Sequence, residues 1–269
     1  MKELKLDRGS LEITLRCTLK CKLCAAYAPF YDVPPHYSAE FLAKTVEKYF
    51  ELVDYVGDFS ISGGEPLMHN EIDKIITEIF QYEKQFGRFL ILTNGTLLFK
   101  ESTIGLLKEL AKNKDIQVNI SHYGKVSNRV EDLTAQLDEA GIAYRVINYH
   151  DENLFSGGWI DYGDHTQKNF TLEERDQAGE DCVFASMNST CIEGGEIHRC
   201  ARAHRRMELG IIPRNKKEYV DLFDDSVSLE EKKEVLRYVI LEAKSTTSCA
   251  YCNGMHSDSK RYPPAEQLL

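Results

Sequence analysis

LEITLRCTLKCKLC, residues 11–24, decides the reading of the whole chain. Leu11, Ile13 and Leu15 alternate with polar residues, the period of a β-strand with one buried face. Directly behind them stand three thiols, Cys17, Cys21 and Cys24. Three clustered thiolates can ligate three irons of a cubane cluster and leave the fourth iron open. Structural zinc wants four ligands and usually pairs its cysteines as CxxC. The bland alternative is three ordinary buried cysteines, which the spacing and the strand-end position argue against.

Working outward, strand and helix patterns alternate. Phe41, Leu42, Val46, Tyr49, Phe50 and Val53 recur at helical spacing behind Ser38, a predicted N-cap. Residues 58–62 (DFSIS) read as a strand ending in Gly63-Gly64-Glu65-Pro66. Ile72, Ile75, Ile76 and Ile79 mark a helix with Asn70 as its predicted cap. Residues 88–93 (RFLILT) are a third strand, ending in Asn94-Gly95, and a helix through Leu106, Leu107 and Leu110 follows. Residues 116–121 (IQVNIS) are a fourth strand, ending at Ser121-His122; a helix over about 130–140 leads to a fifth, AYRVINY. Repeated alternation of this kind predicts a parallel sheet with helical crossovers. The unusual residues gather at the C-terminal strand ends, where barrel folds carry their active sites.

Beyond residue 150 the pattern breaks. The polar and aromatic segment 151–170 is expected to lie as a loop over the barrel mouth, with Asp161, Asp164 and His165 as acid–base candidates or plain loop residues. TCIEGGEIHRC (190–200) predicts a hairpin turning at Gly194-Gly195. SLEEKKEVLRYVILEA (228–243) predicts a helix with a Ser228/Glu231 capping box, running toward Cys249-Ala-Tyr-Cys252. HRCARAHRR (198–206) concentrates Arg199, Arg202, Arg205 and Arg206 with His198 and His204. It is either a solvated basic face or a seat for a phosphate, carboxylate or nucleotide.

Charge narrows the function classes. Lys and Arg number 33 against 43 Asp and Glu, a net charge of −10. Such a chain is a poor partner for nucleic acid or an anionic membrane surface. No apolar run approaches a membrane span, and the N-terminal stretch lacks the apolar core of a signal peptide. The expected location is therefore the cytoplasm, where eight cysteines point to metal or redox chemistry rather than disulfides.

The run Cys17-x3-Cys21-x-Leu23-Cys24, followed by Gly63-Gly64-Glu65-Pro66, resembles the radical SAM superfamily across about residues 10–150. The resemblance implies an α/β fold: a partial (β/α)6 TIM-like barrel over 1–165, with a small C-terminal β-hairpin plus helix cluster-binding domain over 166–269. It implies a [4Fe–4S] cluster on Cys17, Cys21 and Cys24, with S-adenosyl-L-methionine (SAM) on the open iron. Reduction of that pair yields a 5′-deoxyadenosyl radical, with flavodoxin or ferredoxin as the implied electron donor. It places Gly63, Gly64 and Glu65, from the motif closed by Pro66, at the methionine amino group and Leu23 near the adenine. Asn94 and Ser121 are further cofactor contacts or strand-end caps.

The later thiols, Cys182-x12-Gly195-x4-Cys200 and Cys249-x2-Cys252, resemble the twitch domain, a short relative of the SPASM extension. That domain holds one auxiliary [4Fe–4S] cluster, and its layout here is similar to that of an aminocyclitol dehydrogenase of antibiotic biosynthesis. By residue type alone, four such thiols suit zinc as well as an iron–sulfur cluster. Cys191 is left over. It is a small buried residue, an exchanging ligand, or a hydrogen-atom donor of the kind radical SAM epimerases use.

The expected function is hydrogen abstraction from a small molecule (a sugar, aminocyclitol or nucleotide-linked compound), giving oxidation or epimerisation. One alternative is a maturase acting on a ribosomal peptide. With the first strand expected near residue 11, no room is foreseen ahead of it for a peptide-recognition domain. The other alternative is a non-catalytic zinc-ribbon scaffold.

Overall fold

Strand β1 (Lys5–Thr14) organises the sheet in the computed structural model, which describes residues 3–152 and 154–268. The other strands are β2 (Tyr55–Gly63), β3 (Phe86–Thr93), β4 (Asp115–His122), β5 (Ala143–Asn148), β6 (Ser189–Glu193), β7 (Glu196–His198) and β8 (Tyr219–Asp221). They form one open sheet in the order β5-β4-β3-β2-β1-β6-β7-β8. β1 to β5 are parallel neighbours, as the alternation predicts. β6 also runs parallel to β1, so the sixth parallel strand comes from the C-terminal hairpin. β7 and β8 follow antiparallel.

Helices α1 (Ala39–Leu52), α2 (Ile72–Phe80), α3 (Glu101–Leu110) and α4 (Val130–Ala140) make the crossovers. Ser38 caps α1, its hydroxyl accepting from the Phe41 amide at 3.2 Å. Asn70 does not cap α2. The helix starts at Ile72 behind Glu71 with no side-chain cap, and the Asn70 carbonyl accepts from Lys100 instead. β1 begins six residues earlier than the apolar alternation predicts, because Leu4 and Leu6 also reach the core.

The core lies between the sheet and these helices. Phe59, Ile61, Phe89, Ile91, Val118 and Ile120 point from alternate strand positions into it and are fully covered. Phe50, Phe59, Phe86 and Phe89 meet there at ring separations of 5.1–6.2 Å. Each such ring contributes roughly 1.5–3 kcal/mol of transfer free energy. The other strand face carries the opposite residues: Ser10, Glu12, Ser60, Ser62, Asn119 and Ser121 all line a cavity. Period-two alternation therefore turns the apolar strand residues toward the helices and sets polar side chains among the apolar lining of the lumen.

The C-terminal region adds α5 (Leu172–Glu180), α6 (Val183–Ser186), α7 (Ala201–Glu208) and α8 (Leu229–Arg237). α8 has the expected Ser228/Glu231 capping box. α5 has one as well, Thr171 with Glu174, a signal in TLEE that the sequence reading passed over. The hairpin turns at Gly194 and Gly195, both at positive φ. Trp159 of the 151–170 segment is tied to Tyr262 by two backbone bonds of 3.0 and 2.8 Å. Among the described residues no helix is long and apolar enough to cross a membrane.

Candidate cluster and substrate site

Cys17, Cys21 and Cys24 sit on the loop after β1 and open onto one cavity of about 450 Å³. Each sulfur is met by N–H donors. Cys17 accepts from the Leu19 amide (3.4 Å) and Asn94 Nδ2 (3.5 Å), and Cys21 from Gln267 Nε2 (3.4 Å). Backbone N–H groups of Ala28 and Ala26 serve Cys24. Burial pushes all three thiols up to about 11. Donors aimed at sulfurs that burial keeps protonated suit a cationic metal group, which supplies the missing positive charge.

The loop after β2 closes on the same place. The Gly64 amide donates to the Thr14 carbonyl (2.7 Å) and the Glu65 amide to the Arg16 carbonyl (2.9 Å). A Cβ on Gly63 would lie 2.0 Å from the Thr14 carbonyl oxygen, and one on Gly64 2.3 Å from that of Arg16. Only glycine fits so close an approach, which explains the pair physically. Both line the cavity.

Glu65 is placed differently from expectation. Its fully buried carboxylate accepts from Thr93 Oγ1 (2.9 Å), the Asn94 amide (2.8 Å) and the Leu67 amide (3.1 Å). It ties the β2 loop to the end of β3 and does not line the cavity, so the motif faces the lumen through its glycine backbone. Burial holds its carboxyl up at about 7. Pro66 opens the short helical turn after it. Leu23 does not line the cavity either; it packs toward Gly163 of the mouth segment. Asn94 and Ser121 do line it.

Comparison with known proteins bears on this arrangement. Residues 11–124 match the model of the Radical SAM superfamily. This segment is therefore similar to radical SAM proteins over the first four strands of the sheet. A GTP 3′,8-cyclase of Aliarcobacter butzleri is 32% identical over 119 residues, 44% of this chain and 34% of the relative. Another, of Sulfurimonas denitrificans, is 26% identical over 258 residues, covering 92% of this chain and 76% of the relative. The chain thus spans about a third of the length of the first of these relatives. Among solved structures, BtrN in complex with AdoMet and 2-DOIA aligns with a TM-score of 0.57 at 17% identity, covering 98% of this chain and 99% of that one. At that identity the likeness is one of fold. The family implies SAM and one [4Fe–4S] cluster.

A second thiol set stands in the C-terminal region. Cys182, Cys200, Cys249 and Cys252, far apart in sequence, line one small cavity between α5, α7 and the CAYC turn. Most of the basic run forms helix α7; its arginines are largely buried rather than a solvated face, and Arg199 and Arg202 line the lumen. Arg206 is 1% exposed; its guanidinium donates to the Ser248 carbonyl (2.8 Å), the Ser248 hydroxyl (2.9 Å) and the Tyr251 carbonyl (2.6 Å). Arg202 lies over the Tyr162 ring and donates to Cys252 Sγ at 2.7 Å. Both arginines hold the CAYC turn.

Cys191 is buried on β6 and lines the same lumen as the first thiol set. Its S–H donates to Glu12 Oε1 at 3.4 Å. Burial and the neighbouring Glu12 and Glu193 push it far up, so it stays a thiol. Glu12 is the lumen residue that sequence reasoning missed, although it alternates with the apolar Leu11 and Ile13. Burial and Glu193 push its carboxyl well up. Asp161, Asp164 and His165 lie outside the cavity lining. Asp161 accepts the Gly163 and Asp164 amides, Asp164 pairs with Lys168 at 2.8 Å, and His165 stacks on Tyr27. They shape the mouth segment.

Proposed function

We propose that this chain is a radical SAM enzyme that takes a hydrogen atom from a small molecule, giving oxidation or epimerisation. The observation that carries the reading is the single lumen onto which Cys17, Cys21, Cys24, Gly63, Gly64 and Cys191 all open. We favour a sugar, aminocyclitol or nucleotide-linked substrate over a peptide. The relatives named GTP 3′,8-cyclase support a nucleotide-linked substrate.

Bound at the first thiol set, a [4Fe–4S] cluster with SAM supplies a 5′-deoxyadenosyl radical as hydrogen acceptor. The chain does the rest. Cys17, Cys21 and Cys24 would hold three irons of that cluster as thiolates, and the backbone of Gly63 and Gly64 would face the cofactor. Ser60, Asn119 and Ser121 orient hydroxyl or amine groups from the strand side. Trp159 and Tyr162 close the lumen and exclude water. Cys191, held as a thiol beside Glu12, is placed as a hydrogen-atom donor in the epimerising version.

Residues 166–269 form, in this reading, a twitch-like unit with an auxiliary [4Fe–4S] cluster on Cys182, Cys200, Cys249 and Cys252. Beside a radical SAM core, four thiols lining one small cavity favour an iron–sulfur cluster over a zinc-ribbon scaffold. A flavodoxin or ferredoxin supplies the electron.

The test is anaerobic reconstitution of the intact chain and of a Cys17→Ala, Cys21→Ala, Cys24→Ala variant. The intact chain forms 5′-deoxyadenosine with dithionite and SAM, and the variant forms none while keeping about four irons on the second set. Equal 5′-deoxyadenosine from both refutes the enzyme reading; an iron-free variant refutes the auxiliary cluster. With a turned-over substrate in hand, Cys191→Ala loses epimer formation and spares oxidation.

A further inference from the structure

The segment ending at Leu268 returns across the molecule to the first cysteine loop, 246 residues away. The Leu268 amide donates to the Lys20 carbonyl (2.7 Å) and the Lys22 amide to the Glu266 carbonyl (2.7 Å), flanking a two-residue antiparallel bridge between Cys21 and Gln267. Between these backbone bonds lies one side chain. Gln267 Oε1 accepts from the Lys20 amide at 2.7 Å while its Nε2 lies 3.4 Å from Cys21 Sγ. A third bond, from Nε2 to the Ala265 carbonyl (2.7 Å), fixes the amide plane.

We propose that Gln267 is a positioning residue for the SAM-binding cluster: its amide sets the direction of the Cys21 sulfur and donates a hydrogen bond to it. This rests on the reading of Cys21 as a cluster ligand. A loop of alternating turns and bends carries the three thiols, and little regular structure restrains it. The strap supplies that restraint from outside. Hydrogen bonds to ligating sulfurs delocalise their negative charge and raise the reduction potential of the cluster. Amide geometry makes the role specific. A glutamate here keeps the Lys20 bond but turns a charged oxygen toward sulfur; a leucine loses all three side-chain bonds.

Gln267→Glu, Gln267→Leu and Gln267→Asn are compared in the reconstituted full chain. The readouts are the potential of the EPR signal that changes when SAM is added, and the half-life of that cluster in air. Gln267→Glu and Gln267→Leu move the potential to more negative values and shorten the half-life several-fold. The glutamate moves the potential further, and far-UV circular dichroism stays unchanged in both. Gln267→Asn, whose amide is one carbon short of the sulfur, matches the leucine. Unchanged potential and half-life in the glutamate and leucine variants overturn the proposal. Should one of them unfold, the other and the asparagine decide it by the same two readouts. Cys21→Ala in the otherwise native chain separates the two levels. If it keeps the SAM-responsive signal, the ligand reading fails; if it loses it while Gln267→Glu is silent, only the strap proposal fails.

Discussion

Replacing Arg206 by Met keeps the length and bulk of the side chain and removes its donors. In the native chain that guanidinium satisfies three oxygens of the CAYC turn, two of Ser248 and one of Tyr251. Each orphaned acceptor costs about 1–3 kcal/mol, roughly 3–9 kcal/mol together. Relief from burying a cation returns several kcal/mol. The net cost is about 3 kcal/mol, a change of about a hundredfold in the folding equilibrium. With a urea slope of about 3 kcal/mol per molar, the midpoint falls by about 1 M. The comparison is Arg205→Met, one residue earlier on the same helix. Arg205 covers the Tyr31 ring at 4.0 Å and bonds the exposed edge at Glu208 and Phe30. A solvated basic face makes the two variants equal. The buried-organiser account makes Arg206→Met alone lose about 1 M in midpoint and iron at the second thiol set, while iron at the first set stays. Equal midpoints of the two variants refute it.

Gly64→Ala places a methyl 2.3 Å from the Arg16 carbonyl oxygen and 2.7 Å from that of Leu15. The loop leading to Cys17 must shift, and iron per chain at the first set drops several-fold on reconstitution; unchanged loading contradicts the account of the glycine pair. In the metal-free chain, burial raises Cys17 and Cys21 from 9.0 to about 11. Two pH units mean about a hundredfold less thiolate at pH 8 than for an ordinary cysteine, so alkylation followed by mass spectrometry runs about a hundredfold slower at these residues. The sign for stability follows. A folded-state value above the unfolded one favours the fold below pH 9, and this contribution disappears as pH rises through 11.

Much of the fold was legible because local chemistry and global architecture agree. The apolar alternation of LEITL, the serine before AEFL and the SLEE capping box each act within a few residues, so sequence alone reports them. Asn70 misled because a cap requires the chain to turn at that residue, and here the helix starts at Ile72 behind Glu71 with no side-chain cap. TLEE at 171–174 was a readable start signal hidden inside a segment that looked irregular. The solvated-face alternative for the basic run 198–206 fails for a different reason. Charge is a surface signal only when solvent is the available partner, and here the partners are carbonyls 42–45 residues away.

By itself the sequence determined the parallel α/β order and the two thiol sets, since spacing and residue chemistry are one-dimensional properties. Only the tertiary structure decided which side chains share the lumen. It turned Glu65 away from the cavity and into the joint between β2 and β3, and it set Cys191 beside Glu12 by laying β6 against β1. It also brought Gln267 back to Cys21. These are contacts between distant residues. They form because burying the sheet and satisfying its polar groups closes loops that no local pattern encodes.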